Sequence, residues 1–284
     1  RHVRLCHSVP DALAAAARVA AGDYPKGNAM SDAALAIQGL SKSFGGVRAI
    51  ADVSLTVPRG SLTAVIGPNG AGKTTLFNLV TNLYVADSGA IDFEGRSIRD
   101  RSPGAIARLG LIRTFQSARI FPGMTTRENV IAGAHMHLQV PAWQHMLWLK
   151  RARREEAALA AKADRLLELV GLAAFRDVAA TDLPMGAQKM LEVVRALMAE
   201  PRLLLLDEPA AGLNDAETAE LAELLRAIRD SGITVIVVEH NMSLVMGVAD
   251  QVVVLDAGSI VASGSPRAIQ QDKRVIAAYV GAEA

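Results

Sequence analysis

Short apolar runs, each followed by a polar or glycine-rich turn, recur along the chain and predict buried strands. Residues 62–66, 203–206 and 233–238 are runs of apolar or β-branched residues of strand length. Continuous rather than alternating hydrophobicity is typical of strands covered on both faces, as in a parallel sheet flanked by helices. These three runs therefore predict the centre of an α/β fold.

The region before residue 100 has a different pattern, in which short strands are separated by turn residues. Residues 58–60 and 94–95 carry Pro or Gly where a turn is needed. This spacing predicts an antiparallel β lobe over residues 34–100. Its predicted strands are residues 35–37, 47–50, 53–57 and 90–93.

Helical periodicity dominates residues 102–200. In residues 155–170 apolar side chains recur every three or four positions, and Gly171 follows as a stop. Further along, Asn214 and Glu217 have the spacing of a capping pair at the start of an amphipathic helix. The chain should therefore carry a helical lobe beside its strands.

Residues 1–33 differ from the rest and are predicted to form an N-terminal extension. Residues 11–21 are alanine-rich and could form a short helix, but Gly and Pro interrupt the pattern directly afterwards. Met30 is a plausible start of the protein proper. We expect the extension to be poorly ordered and residues 34–284 to form one domain.

Composition excludes several classes of protein. The net charge of +1 does not predict a nucleic-acid surface. Although 51% of the residues are hydrophobic, no apolar run approaches the roughly 18 residues of a spanning helix. The single cysteine, Cys6, excludes an intramolecular disulfide and fits a reducing compartment. We expect a cytoplasmic protein whose membrane association, if any, comes from partners.

Residues 143–149 are rich in large apolar side chains, and residues 150–154 are rich in Lys and Arg. Two interpretations are open. The segment could be a partly packed helix with a solvated basic end, or a peripheral surface that lies near anionic lipid headgroups.

Residues 67–75 carry the pattern Gly-x-x-x-x-Gly-Lys-Thr between a predicted strand and a predicted helix at 76–83. Glycines let several backbone N–H groups face one anion, and a helix N-terminus adds partial positive charge. Lys73 would reach the β- and γ-phosphates of a nucleotide, and the Thr74 hydroxyl would ligate Mg²⁺. The predicted phosphate-binding loop is Gly67, Pro68, Asn69, Gly70, Ala71, Gly72, Lys73, Thr74 and Thr75.

Two carboxylates follow the strand at 203–206. Pro209 cannot continue a central strand, so Asp207 and Glu208 should emerge at the carboxyl edge of the sheet, where α/β folds bind ligands. Asp207 would hold Mg²⁺ through water, and Glu208 would be the general base that polarises the attacking water. A solvated acidic strand end is the alternative.

His240 ends the next predicted strand, at the same sheet edge. From there it could contact the γ-phosphate. A purely structural histidine remains the alternative.

Taken in order, these motifs resemble the nucleotide-binding subunit of an ATP-binding cassette (ABC) transporter from about residue 34 onward. The resemblance includes residues 67–75, Gln116, residues 183–188, Asp207-Glu208 and His240. It implies an α/β P-loop NTPase fold of ABC type, with a mixed sheet core, an antiparallel β lobe and a helical signature lobe.

The resemblance also implies roles for residues with no pattern of their own. Phe44 would stack on adenine, and Gln116 would sense Mg²⁺ and the membrane partner, with a part in catalysis. Gly186 would lie in the signature motif that closes over the γ-phosphate of the opposite subunit, and residues 211–214 would cross that interface. The usual signature Leu-Ser-Gly-Gly-Gln is altered, because Pro184 replaces Ser and can offer neither a hydroxyl nor an N–H.

Within the family, residues 208–214, 239–242 and 275–281 are similar to the high-affinity branched-chain amino-acid uptake ATPases. The resemblance implies an ATPase that uses ATP and Mg²⁺. It would act with a second identical or paralogous ABC subunit, permease subunits and, indirectly, a solute-binding protein, at the cytoplasmic face of the inner membrane. Relatives that import urea or amides or export lipopolysaccharide share much of this pattern.

Two other classes stay open. A soluble ABC ATPase for DNA repair would need a long coiled coil, but residues 76–182 lack sustained heptads. A small-molecule kinase would need neither the signature segment nor His240.

Overall fold

The computed structural model describes residues 32–114 and 120–280. Its strands form two sheets, of four and six strands. The strands are β1 (Ala33–Phe44), β2 (Val47–Pro58), β3 (Leu62–Ile66), β4 (Ser88–Phe93), β5 (Arg96–Ser97), β6 (Leu111–Arg113), β7 (Leu203–Asp207), β8 (Thr234–Val238), β9 (Gln251–Asp256) and β10 (Ser259–Gly264).

The larger sheet has the order β10-β9-β3-β8-β7-β6. The strands from β9 to β6 are parallel, and β10 is an antiparallel edge strand. Alternate residues of β7 enter two different cores: Leu204 and Leu206 pack in one, and Leu203 and Leu205 in the other. Burial on both faces explains why this strand is a continuous run of leucines.

The smaller sheet, with the order β2-β1-β4-β5, is antiparallel and confirms the predicted β lobe. Two predicted strands, residues 47–50 and 53–57, are wrong as separate elements, since both belong to β2. Asp52 joins them with φ 54, and the register against β1 shifts nearby. An irregularity of this kind bends a strand without ending it, although it breaks the apolar pattern.

Helices cover the sheets and form a lobe of their own. In the described ranges they are α1 (Lys73–Val80), α2 (Pro103–Arg108), α3 (Thr126–Ala132), α4 (Ala142–Met146), α5 (Lys150–Leu169), α6 (Met185–Met198), α7 (Asp215–Asp230), α8 (Met242–Val248), α9 (Pro266–Gln271) and α10 (Lys273–Val280). In the helical lobe α3, α5 and α6 pack on one another. Within these ranges, none of the helices has the length and apolar character needed to span a membrane.

Several predicted boundaries move. The helix predicted at 76–83 is α1, which begins at Lys73, and the helix predicted at 155–170 begins at Lys150 as α5. Gly171 follows α5 with φ 69, as its role as a stop requires. Residues 102–200 are mainly helical but also contain β6, which pairs with β7. Three residues are too few to show a strand period in the sequence.

The first strand begins at Ala33. Residues 1–31, with Cys6, the alanine-rich stretch and Met30, lie outside the described residues. The predicted extension therefore remains a prediction.

Candidate functional site

The predicted phosphate-binding loop connects β3 to α1, and two of its glycines are enforced by the backbone around them. Gly67 has φ 150, and a Cβ there would lie 2.0 Å from the Leu255 carbonyl oxygen. Gly72 has φ 102, and its Cβ would lie 2.5 Å from the Ala49 carbonyl oxygen. Gly70 also has a positive φ, of 82, but a Cβ there would meet nothing within 4 Å. Gly67 and Gly72 thus leave room for neighbouring backbone segments of the same chain, whereas Gly70 allows the backbone conformation of an exposed turn.

Lys73 is buried at the start of α1 and folds back over the loop. Its Nζ donates to the carbonyl oxygens of Gly67, at 2.7 Å, and Pro68, at 2.9 Å. Burial lowers the pKa of Lys73, and the charges of Glu208 and Asp207 oppose that shift. The ammonium group therefore lies within electrostatic reach of the predicted general base, Glu208, and of the predicted metal ligand, Asp207.

The remaining loop residues form the turn into α1. Asn69 and Gly70 are exposed, and the Ala71 N–H donates to the Pro68 carbonyl oxygen at 3.2 Å. Thr74 is exposed in the first turn of α1, and Thr75 beside it is half-buried. A hydroxyl presented to solvent at this helix N-terminus fits the predicted role of Thr74 as a metal ligand.

Asp207 is the last residue of β7 and is held by an arginine that sequence reasoning missed. Arg113, at the end of β6, donates from Nη2 to Asp207 Oδ2 at 2.9 Å and from Nη1 to Asn78 Oδ1 at 2.6 Å. The side chains of both ion-pair partners are largely buried. Arg113 thereby ties together β6, β7 and α1. Its position three residues before Gln116 was the only available signal.

The other oxygen of Asp207 suits a hydrated metal ion. Oδ1 is buried and has no hydrogen-bond partner among the described residues. A buried carboxylate oxygen left unpaired costs about 1–3 kcal/mol, so a ligand that pairs it is favoured. No group of three His, Cys, Asp or Glu side chains able to hold a metal occurs in residues 32–114 and 120–280. The single carboxylate oxygen that Asp207 offers fits Mg²⁺, which takes one or two protein ligands and completes its shell with phosphate and water.

Glu208 has backbone strain that aims its side chain. Its φ is 50, in the left-handed region that a residue with a long side chain rarely adopts, and Pro209 follows it. The Glu208 N–H donates to the Val238 carbonyl oxygen at 2.9 Å. Glu208 Oε1 lies 3.1 Å from Nε2 of His240, which confirms that these two side chains meet at one sheet edge.

Glu239 is a second residue that sequence reasoning missed. It is buried, 3% exposed, and directly follows β8. Its carboxylate accepts hydrogen bonds from the N–H groups of Ala210 at 2.6 Å, His240 at 3.0 Å and Asn241 at 3.2 Å. Glu239 thus joins the loop after Glu208 to the loop that carries His240. A carboxylate directly before the histidine was the signal.

Phe44 lies at the end of β1 and is 42% exposed. Its ring packs edge-on against Tyr84 at 5.2 Å between centroids, and the Lys42 ammonium lies 5.4 Å from its centroid. The same hairpin continues through β2 to Ala49, whose carbonyl oxygen faces Gly72. An exposed ring beside the loop is compatible with stacking on a base.

Gly186 lies in the first turn of α6, which begins at Met185 after Pro184. It is buried, and a Cβ there would lie 2.3 Å from Glu217 Oε1. Glu217 also forms the predicted capping box with Asn214 at the start of α7. The signature glycine therefore faces a carboxylate of its own chain.

Lys189, on the same helix, is also buried, and its Nζ lies 3.5 Å from the Glu208 carbonyl oxygen. The helical lobe thus touches the segment that follows β7. Gln116 lies outside the described residues, as do its immediate neighbours 115 and 117–119.

Comparison with known sequences agrees with this geometry. Residues 50–211 match the family described as ABC transporter, and residues 259–284 match the one described as branched-chain amino acid ATP-binding cassette transporter. The chain belongs to the ABC transporter family, in the branched-chain amino acid group of its ATP-binding proteins.

Similar proteins include the high-affinity branched-chain amino acid transport ATP-binding proteins LivG of Salmonella typhimurium and BraF of Pseudomonas aeruginosa. They are 39% and 40% identical to this chain, and each alignment covers 89% of the chain and 99% of the relative. Among solved structures, a nucleotide-free ATP-binding cassette from an ABC transporter matches with a TM-score of 0.76 and 31% identity, over 87% of this chain and 98% of that one.

The ADP conformation of another ATP-binding cassette of an ABC transporter matches with a TM-score of 0.77 and 30% identity, over 88% of this chain and 100% of that one. The predicted fold class and family are therefore confirmed.

Proposed function

We propose that this chain is the ATP-hydrolysing subunit of an ABC importer for branched-chain amino acids, bound peripherally at the cytoplasmic face of the inner membrane. The observation that carries the proposal is the meeting of Lys73, Asp207, Glu208 and His240 at one edge of a parallel sheet. That edge is where α/β folds bind ligands.

The loop at 67–75 would hold the phosphates of ATP. Lys73 now donates to two loop carbonyls, and in the complex it would turn to the β- and γ-phosphates. Phe44 would stack on adenine. Thr74, Asp207 and Gln116 would hold Mg²⁺, which neutralises charge on the phosphates when it is bound.

Glu208 would act as the general base. Its carboxylate accepts a proton from water as the water oxygen attacks the γ-phosphorus, and the bond to the β–γ bridging oxygen breaks to give ADP and phosphate. His240, 3.1 Å from Oε1, would orient this carboxylate and approach the γ-phosphate. The positive φ at Glu208 supports the assignment, because strained backbone clusters at functional sites.

Closure on a second ABC subunit, identical or paralogous, would complete the site. The segment around Gly186 would approach the γ-phosphate of the opposite subunit, and Glu217 would have to move away from that glycine. The negative charge of the Glu217 carboxylate would otherwise face the triphosphate of the opposite subunit, and like charges repel. ATP-driven closure would be transmitted to permease subunits through the Gln116 region, and a solute-binding protein would act only indirectly.

The cargo is assigned by analogy to the relatives. Their names describe branched-chain amino acid transport, and the last residues of the chain match the family of that description. A urea or amide importer and a lipopolysaccharide exporter remain the alternatives.

The test is transport in proteoliposomes that contain the chain together with candidate permease subunits and a candidate solute-binding protein from the same source. We expect ATP-dependent uptake of radiolabelled leucine, competed by isoleucine and valine but not by urea, and absent with Glu208→Gln. ATP hydrolysis without uptake of any branched-chain amino acid would reject the cargo and leave the ATPase assignment intact.

A further inference from the structure

Both tryptophans of the chain lie in one short surface segment. Trp143 is 55% exposed and Trp148 73%, and next to them Met146 is 81% and Leu147 64% exposed. Single exposed apolar residues are ordinary, but a contiguous group of this size marks a surface that another body covers. The interpretation of residues 143–154 as one partly packed helix needs correction, because α4 ends at Met146 and α5 begins at Lys150.

The fold holds these side chains outward. His145, on the other side of α4, is fixed to α5 by Glu156, 2.8 Å from Nδ1, and Glu155, 3.2 Å from Nε2. The chain then reverses at Trp148, whose φ is 48, before re-entering a helix. With its polar side tied to α5, α4 can present only its apolar side to the surroundings.

Cationic side chains continue the same surface. Lys150, Arg151, Arg153 and Arg154 are all exposed. In the described ranges none of the four forms an ion pair, and residues 142–154 contain no Asp or Glu. We call the four exposed apolar residues and these four cations together the Trp–Arg surface. Unpaired like charges repel one another, so the surface as a whole favours an anionic partner.

We propose that the Trp–Arg surface docks on a bilayer that contains anionic lipids. Tryptophan prefers the boundary between headgroups and acyl chains, where its ring is buried and its N–H stays near water. Each Lys or Arg near an anionic leaflet adds roughly fivefold to the affinity. An apolar anchor combined with a basic cluster supplies the two signals that stable peripheral binding needs.

This proposal deepens the peripheral location given above, but it rests on neither nucleotide chemistry nor a permease. The surface lies at the start of α5, which packs on α3, and α3 begins seven residues after position 119 in the sequence. Lipid contact here would thus hold the helical lobe against the membrane in which the permease lies.

The test uses the full chain with vesicles of neutral phosphatidylcholine, with and without about a third of anionic phosphatidylglycerol. Because both tryptophans lie in the surface, their fluorescence reports it with no background. We expect a blue shift and co-sedimentation with anionic vesicles, both weakened by salt. An unchanged spectrum, or equal binding to neutral vesicles, would overturn the proposal.

Charge-reversal variants distinguish binding at the Trp–Arg surface from nonspecific electrostatic attraction to anionic vesicles. The triple change Arg151→Glu, Arg153→Glu and Arg154→Glu should lower vesicle affinity at least about tenfold. The matched control reverses three exposed arginines elsewhere, Arg96, Arg108 and Arg267, and should retain most of the binding. Equal loss in both variants, with melting temperatures unchanged, would contradict the proposal.

A permease could cover the surface instead. A blue shift on adding detergent-solubilised permease, with no shift on anionic vesicles, would assign the surface to a protein partner and reject the lipid.

Discussion

Gly72 and Gly70 make a matched pair, because both have a positive φ but only Gly72 is closed in by other backbone. Gly70→Ala should cost about 1 kcal/mol, from the left-handed conformation alone. Gly72→Ala adds a clash with the Ala49 carbonyl and should cost about 3 kcal/mol or more. Urea denaturation of the two variants measures the difference. Equal losses of stability in the two variants would show that the β2 backbone at Ala49 moves aside without cost.

Glu239 should matter for stability as well as for activity. Glu239→Gln leaves a single acceptor oxygen and brings an NH₂ group against backbone N–H donors that the carboxylate now satisfies. We expect a loss of about 2–3 kcal/mol in the free energy of unfolding. The control Glu223→Gln removes only an exposed pair with Arg226 and should cost less than about 1 kcal/mol. If Glu239→Gln leaves the free energy of unfolding unchanged, water must accept the hydrogen bonds of these N–H donors.

The α4–α5 contact should depend on pH. Two hydrogen bonds raise the pKa of His145 above its ordinary value of 6.5, and the bond to Glu156 has a larger effect than the bond to Glu155. A raised pKa in the folded state means that this contact is complete below about pH 6.5 and is lost as pH rises through the raised pKa. The fluorescence anisotropy of Trp143 and Trp148 should therefore fall on moving from pH 6 to pH 9. His145→Gln should flatten the profile; an unaltered profile in that variant would assign the change to another group.

Elements with a strong period were predictable, and contacts between elements were not. The apolar run of β7 and the capping pair of α7 are local signals, and the structure confirms both. The three-residue strand β6 depends on pairing with β7, which lies some ninety residues later in the chain. Arg113 was missed for the same reason, since its significance comes from Asp207 and Asn78, which are distant in sequence. Motifs thus located the site, whereas tertiary contacts decide which neighbours support it.

Removal of residues 1–29, so that the chain begins at Met30, should leave folding and ATP hydrolysis unchanged. The variant keeps β1 and Asp32, whose carbonyl oxygen accepts the Arg59 N–H at 2.8 Å. A chain beginning at Gln38 is the control. It loses the first half of β1, which pairs with both β2 and β4, and should not fold. Loss of activity in the Met30 variant with folding intact would give the extension a role in catalysis.

Glu208→Gln should trap the molecule as a nucleotide-bound dimer. The amide is nearly isosteric, so the backbone at φ 50 and the contact with His240 can persist, but it cannot accept the proton of the attacking water. Loss of a general base lowers turnover about 10²–10⁴-fold. Lys73, Thr74 and Asp207 are untouched, so ATP and Mg²⁺ should still bind.

The closed, ATP-bound dimer should then accumulate, and light scattering should show it as an ATP-dependent doubling of mass. The double variant Lys73→Ala, Glu208→Gln is the control and should stay monomeric, because it lacks the ammonium group that would contact the phosphates. Hydrolysis by Glu208→Gln at close to the parent rate would instead assign proton transfer to His240 or to the nucleotide itself. The strained backbone at Glu208 would then need another explanation than the placement of a base.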